Sequence, residues 1–337
     1  MLNFDAERFL RIQNGAVALK DELDQVIDAV FEKGLENVFF VGTGGAAILM
    51  FPAEFILKNH STLPVYTEIS SELMLMDHQH LGERSLVILP SLSGTTKETV
   101  EAAKFCKEKG ATTISLVAHA NTPLANLTDY TLVNYAADDT SCESFYIQSY
   151  LIAFRLMYKR NEFPQYHQFT EEMKKLPEAL LNVKKATEQR AAAFAQKHKY
   201  TPYHILSGTG IDWGQTYYYG MCILEEMQWI KTRPVHASDF FHGTLELVEH
   251  DTSIILLKGE DRSRALTERV EHFADHYTNE LTVFDTKDYE FTGISEELRR
   301  FISPIVLATL LERVSCHLET QRNHPLTTRR YYKKVPF

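Results

Sequence analysis

Two adjacent carboxylates sit in an apolar run, Met221-Cys222-Ile223-Leu224-Glu225-Glu226-Met227-Gln228-Trp229-Ile230. Read as a helix, neighbouring residues point about 100° apart, so one of the two falls nearer the apolar face. A carboxylate with apolar neighbours has a raised pKa and suits general-base work, whereas one on a solvated face does nothing of the kind. Sixteen residues beyond Glu226, His242 stands in a Phe240-Phe241-His242-Gly243 turn. A lone histidine of this sort is more often structural than reactive. His236 and His250 are near it in sequence, but the spacing gives neither a helical HxxxH pair nor a usual zinc arrangement. No metal is expected.

Ser91-Leu92-Ser93-Gly94-Thr95-Thr96 is the second group with chemical possibilities. It follows the apolar run Leu86–Leu89 and opens a helical stretch. A helix start presents unpaired N–H groups and a partial positive charge. Hydroxyls at 91, 93, 95 and 96 add donors without bulk, and Gly94 lets the backbone approach closely. The segment reads as a phosphate cradle with no lysine, and no Walker loop is present. It reads equally as a helix cap, with Ser93 at the N-cap or Thr95 and Glu98 forming a capping box. Gly42-Thr43-Gly44-Gly45 is a comparable turn after an earlier strand. A dinucleotide fingerprint is not completed there, since position 47 is Ala47, although Glu68 could serve as its acidic partner. A nicotinamide dehydrogenase is a poor second reading.

These groups need a frame. Apolar runs at 37–41, 65–67, 86–89, 113–117 and 130–134 read as strands. Helical patterns at 17–33, 46–58, 97–109 and 143–160 lie between or after them. In the first helix Leu19, Leu23, Val26, Ile27 and Val30 share a face, and Gly34 stops it. A charged amphipathic stretch, 169–199, then reads as a connecting helix or helices, with Pro177 as a break. The alternation resumes with strands at 203–206, 253–257 and 281–284. Helices are expected at 212–230, 262–277 and 296–319, the last broken at Pro304. Each half opens with a strand running into Gly-Thr-Gly, at 42–44 and 208–210. The expectation is an α/β protein of two tandem domains, each a mainly parallel sheet flanked by helices. The divisions are 1–34, an N-terminal helical segment; 35–168, the first domain; 169–199, the connector; and 200–337, the second domain with a C-terminal tail.

Composition is that of an ordinary globular protein and excludes other classes. With 337 residues, 44% hydrophobic and 24% charged, the chain is no disordered polymer. Lys plus Arg is 35 against 45 Asp plus Glu, a net charge of −10, and no nucleic-acid partner is expected. Cys106, Cys142, Cys222 and Cys316 are too scattered for a zinc knuckle or a CxxC motif, and unpaired thiols in a reducing compartment follow. No run approaches the roughly 20 apolar residues of a membrane span, and the first residues lack a signal peptide's apolar core. A cytoplasmic location without membrane association is the expectation.

The loop Ser91-Leu-Ser-Gly-Thr-Thr96 resembles the sugar-phosphate loop of the sugar isomerase (SIS) superfamily. Glu226 and His242, sixteen apart, resemble the Glu and His-Gly of the isomerase half of glucosamine-6-phosphate synthase. The glutaminase domain of that synthase is missing. Glu226-Met-Gln-Trp229, the 240–243 turn and the tail His324-Pro-Leu-Thr-Thr-Arg-Arg-Tyr331 are similar to the SIS-domain deglycases of phosphorylated sugar–amino-acid adducts. Two tandem SIS domains covering nearly the whole chain are implied, together with a homodimer whose sites are shared through His242. Within the group the similarity points to glucoselysine 6-phosphate, with the fructoselysine adduct as the alternative. It implies Glu226 and His242 as catalytic residues, Ser91, Ser93 and Thr96 on the phosphate, and no cofactor. Gly44 and Gly45 follow as substrate contacts less directly, because relatives often carry Ser or Thr in that loop. Near the C-terminus, Lys333 and Lys334 lie in a motif unlike the synthase's, so neither receives a Schiff-base role.

The implied reaction is a proton shift followed by hydrolysis. His242 assists ring opening, and Glu226 takes a proton from the carbon bearing nitrogen and returns one to its neighbour. Water then splits the resulting imine. Two rivals share the fold. An aldose–ketose isomerase would leave nitrogen on the sugar, and a sugar-phosphate sensor would bind without turnover and tolerate loss of Glu226.

Overall fold

The computed structural model describes residues 1–136, 142–332, 334 and 335. The chain divides into two compact units, Ala6–Pro177 and Met1–Asp5 with Glu178–Phe337.

The first unit opens with α1 (Ala6–Ala18) and α2 (Lys20–Glu32), then β1 (Asn37–Gly42), α3 (Gly44–Ile48) and α4 (Phe51–His60). β2 (Val65–Ile69), α5 (Ser70–Met76), β3 (Ser85–Ser91), α6 (Lys97–Glu108) and β4 (Thr112–Val117) follow. β5 (Tyr130–Val133), α7 (Cys142–Lys159) and α8 (Tyr166–Met173) complete it. Five strands pair in the order β2-β1-β3-β4-β5, all parallel. Every residue of β1 and β3 is buried, as strands covered on both faces must be. α6 turns Thr99, Ala102, Ala103 and Cys106 inward at helical spacing. The last three pack on Phe39, Val87 and Leu89. The strand order reverses between β1 and β3, which places the ligand crevice of an open α/β sheet at their carboxyl ends.

The helix expected over 17–33 is two helices. They break at Leu19, which caps α2 with no side-chain hydrogen bond and so leaves no mark in the sequence. The helix expected over 46–58 is also split. Pro52 lies in the first turn of α4, where its missing N–H costs nothing, but it cannot continue the helix from α3.

The second unit holds α9 (Leu176–His198), β6 (Tyr203–Gly208), a 3₁₀ turn (Gly210–Asp212), α10 (Trp213–Tyr218) and a π-helix (Tyr219–Met227). Then come β7 (Lys231–His236), α11 (Ala237–Phe240), β8 (Ser253–Lys258), α12 (Arg264–Tyr277), β9 (Leu281–Asp285) and α13 (Glu296–Arg322). Its four strands pair β7-β6-β8-β9, again all parallel. β7 was not expected from sequence. It carries Pro234 opposite Leu206, and a residue without an N–H is tolerated because β7 is an edge strand. The single α-helix expected over 212–230 is three successive elements instead. The 169–199 stretch is interrupted between α8 and α9, just before Pro177, which lies in the first turn of α9.

The expected break at Pro304 is not found. α13 runs through it, with most of its residues from Leu298 to Leu318 buried, and this burial outweighs the ~3 kcal/mol that an internal proline costs. Among the described residues α13 is the one helix long and apolar enough to cross a membrane, yet 89% of that window is buried within the protein, which is how a core helix reads.

α9 and α13 carry a buried charged network. Lys184 Nζ pairs with Glu312 at 2.8 Å, and Arg313 Nε donates to Glu188 at 2.8 Å. The Leu2 N–H donates to Glu188 and the Leu2 carbonyl accepts from Arg313, at 2.7 and 2.5 Å. Burial works to raise the Glu188 carboxyl, but hydrogen bonds from Arg313, Leu2 and His317 outweigh it and hold it down at about 2.

Candidate active site

In the first unit the hydroxyl loop leaves the carboxyl end of β3. Ser91 is buried, and its Oγ accepts the Gly94 N–H at 3.1 Å and lies 3.3 Å from Thr96 Oγ1. Ser93 Oγ accepts from Thr95 N and Thr95 Oγ1 at 3.3 and 2.9 Å. Gly94 has φ +61°, and a Cβ there would meet Thr122 Oγ1 at 2.2 Å, so both the turn and the close approach require glycine. The N-cap of α6 is Thr96, without a side-chain cap bond. The capping reading of Ser93 and Thr95 is therefore corrected: those side chains bond to each other, and no side chain caps the helix that starts behind them. Such an end offers N–H groups to an anion.

Gly42-Thr43-Gly44-Gly45 leaves the carboxyl end of β1, the strand beside β3. Gly44 has φ +58°, and a Cβ on it would meet nothing within 4 Å. Thr43 Oγ1 is buried with no hydrogen-bond partner. Sequence reading passed over this hydroxyl as a turn residue; its only signal was a polar side chain between glycines at a strand end.

The corresponding crevice of the second unit is filled by the protein itself. Asp261 accepts the Ile211 N–H at 3.0 Å and the Ser263 N–H at 2.7 Å, so its carboxylate takes the donors a phosphate would need. Beside it, burial and the neighbouring Asp261 raise the Asp212 carboxyl well above its usual range. Hydroxyls line one crevice and carboxylates the other, and only the first suits an anion.

Glu226 lies near the end of the π-helix, on the wall of a cleft of about 570 Å³ lined also by Glu225, Trp229, Thr232, Arg329 and Tyr332. The π turns change the angular step between residues from the α value assumed in the sequence reading, and such segments recur at functional sites. The two carboxylates differ in their surroundings, and Glu226 meets a cation rather than the apolar face expected of one of them. Glu225 is exposed and accepts from Thr232 Oγ1 at 2.6 Å, whereas the Glu226 side chain is 37% exposed and receives Arg329 Nε at 2.9 Å. Trp229 ends this segment with φ +56°, a strained conformation for so bulky a residue. It is braced by the edge of His324 at 4.5 Å and the Arg330 guanidinium at 3.9 Å.

His242 is exposed in the turn after α11 and is not among the residues lining this cleft. Its neighbour in sequence His236 serves structure, with its ring nitrogens on Ser238 N–H and Thr209 Oγ1. Among the described residues, no cluster of three His, Cys, Asp or Glu could hold a metal. Lys334 does not line the cleft, and Lys333 lies outside the described residues.

The SIS domain model matches residues 34–176. Fructosamine deglycase FrlB of Bacillus subtilis is 33% identical over 308 residues, which are 90% of this chain and 94% of that protein. The chain belongs to the SIS-domain sugar-phosphate deglycase family. A second relative of this deglycase-family chain, fructoselysine 6-phosphate deglycase of Escherichia coli, is 24% identical over 91% of this chain and 88% of its own. A Bacillus subtilis protein assigned as a phosphosugar isomerase superposes with a TM-score of 0.87 at 31% identity, covering 99% of this chain and 100% of that one. The C-terminal domain of glucosamine-fructose-6-phosphate aminotransferase from Francisella tularensis shares the fold, with a TM-score of 0.81 at 16% identity over 96% and 97% of the two chains. The α/β architecture of this deglycase-family member is thus the SIS fold, with parallel sheets flanked by helices.

Proposed function

We propose that the chain is a deglycase of a 6-phosphorylated sugar–amino-acid adduct, with Glu226 as the base that moves a proton between adjacent sugar carbons. The observation that carries this reading is one carboxylate of an adjacent pair, presented to a cleft by a π-helix and gripped by an arginine. We assign the phosphate to Ser91, Ser93 and Thr96, with Gly44 and Gly45 beside them, and proton transfer at the ring oxygen to His242 of a second copy in a homodimer. The second unit is read as a second SIS domain, because its order β7-β6-β8-β9 repeats β2-β1-β3-β4.

The substrate is glucoselysine 6-phosphate on the resemblance of the tail. In its open form the aldehyde is at C1 and nitrogen at C2. Glu226 takes the C2 proton and one returns at C1, leaving a C2 imine. Water adds to that carbon and lysine leaves with the bonding pair, giving fructose 6-phosphate and lysine. The name of the Escherichia coli relative favours a second reading, fructoselysine 6-phosphate. There the nitrogen is on C1, Glu226 takes the C1 proton, and the products are glucose 6-phosphate and lysine. Both need one carboxylate and one proton shuttle.

Offering both adducts to the purified protein and identifying the released hexose phosphate decides between them. The unphosphorylated adducts should be turned over less efficiently by on the order of 10²-fold, because the phosphate supplies orientation. Equal turnover would remove the role given to Ser91, Ser93 and Thr96, and a product with nitrogen still on the sugar would show an isomerase.

A further inference from the structure

We propose that Arg329 is a positioning residue for Glu226, holding the base ionised and aimed from a tail strapped across the end of the π-helix. This rests on the reading of Glu226 as the base. The strap has a fixed origin. α13 ends at Asn323 in the left-handed region, φ +48°, and Glu319 fastens the turn by accepting His324 N–H through its carbonyl and Leu326 N–H through its carboxylate, at 3.0 and 2.8 Å. It is then tied to the residues just past the base. Gln228 Nε2 donates to the His324 carbonyl at 2.8 Å, Arg322 Nη2 donates to the Gln228 carbonyl at 3.1 Å, and Trp229 contacts both His324 and Arg330.

Within this strap Arg329 is pinned before it reaches Glu226. Its Nη1 donates to the carbonyls of Leu326 and Thr328 at 2.6 and 3.0 Å, which leaves Nε directed at Glu226 Oε1. The guanidinium side chain is only 13% exposed, less than the carboxylate it meets. A cation placed this way favours the charged form of its partner, and its planar fork fixes direction in a manner an ammonium cannot copy. Among the described residues the other charged or titratable groups on the cleft are Glu225 from the π-helix, Lys231 from β7, and Arg330, Tyr331 and Tyr332 from the tail. His324 packs behind Trp229, and burial lowers it below the usual histidine range. Glu225 is turned to Thr232 and Arg330 to Trp229, while Arg329 grips the base.

The test is the pH profile of kcat/KM for wild type, Arg329→Gln and Arg329→Lys, with the lysine adduct 6-phosphate that the wild type turns over. Arg329→Gln should move the acidic limb up by about one pH unit and lower kcat more than it raises KM. Arg329→Lys should return the limb to the wild-type position and recover only part of kcat. A limb that stays in place in folded Arg329→Gln would overturn the proposal and leave Arg329 as a mere anchor of the tail. Titration of the wild-type Glu226 carboxyl by carbon-13 NMR, identified by its absence in Glu226→Gln, needs neither substrate nor an Arg329 variant. It should fall below the ordinary value of about 4.3, and a midpoint at or above that value would sink the idea. Full activity in Glu226→Gln would instead remove the base itself, a failure separate from that of Arg329.

Discussion

Glu226→Gln should slow lysine release by about 10²–10⁴-fold, the usual contribution of a positioned general base. The substitution preserves shape, and the amide oxygen can still accept Arg329 Nε, so the cleft and the strap persist while the proton acceptor is gone. The variant should melt with the wild type and bind the adduct. Deuterium at the reacting carbon gives an independent reading: wild type should lose label to water and run slower on the labelled adduct. Lysine released by the purified variant at the wild-type rate would end the assignment.

Arg313→Ala should cost about 3–5 kcal/mol, because removing one partner leaves the others charged in a poorly solvated place. The Arg313 side chain is fully buried, and it meets both Glu188 and Glu312. For a unit of this size the loss corresponds to roughly 10 °C in Tm. The effect should depend on pH with a definite sign. Glu188 is held at about 2 in the folded protein, below the 4.5 of a free glutamate, so its contribution is complete above the unfolded value and lost as pH falls from about 4.5 toward 2. The gap between wild type and Arg313→Ala should therefore narrow over that interval. Melting curves at pH 7, 4 and 3 check it, and a gap that stayed constant would show that Arg313 acts by packing alone.

What the sequence made legible was whatever depended on a strong period or on glycine. The buried strands around Phe39 and Ile88 and the helix carrying Ala102, Ala103 and Cys106 follow from hydrophobic spacing. The turns at Gly44 and Gly94 follow from residues that accept a positive φ. What escaped depended on partners distant in the chain. β7 was hidden because Pro234 is acceptable only on an edge, and edges are set by the sheet. The path of α13 through Pro304 is decided by burial, not by local preference. The π-helix is invisible to an apolar period, since the same residues satisfy an α pattern. The residues around Glu226 mark it as a candidate base, whereas its contact with Arg329, 103 residues away, leaves no local mark in the sequence.

The anchoring of Leu2 by Arg313 has a consequence for biosynthesis. The two residues are 311 positions apart, so at roughly 5–20 residues per second a ribosome takes about 15–60 s to supply the second after the first. Ala6–Pro177 is continuous and can close while translation proceeds. Residues 1–5 must wait through that whole interval for α13, so they dock only after the whole of Ala6–Pro177 has been made.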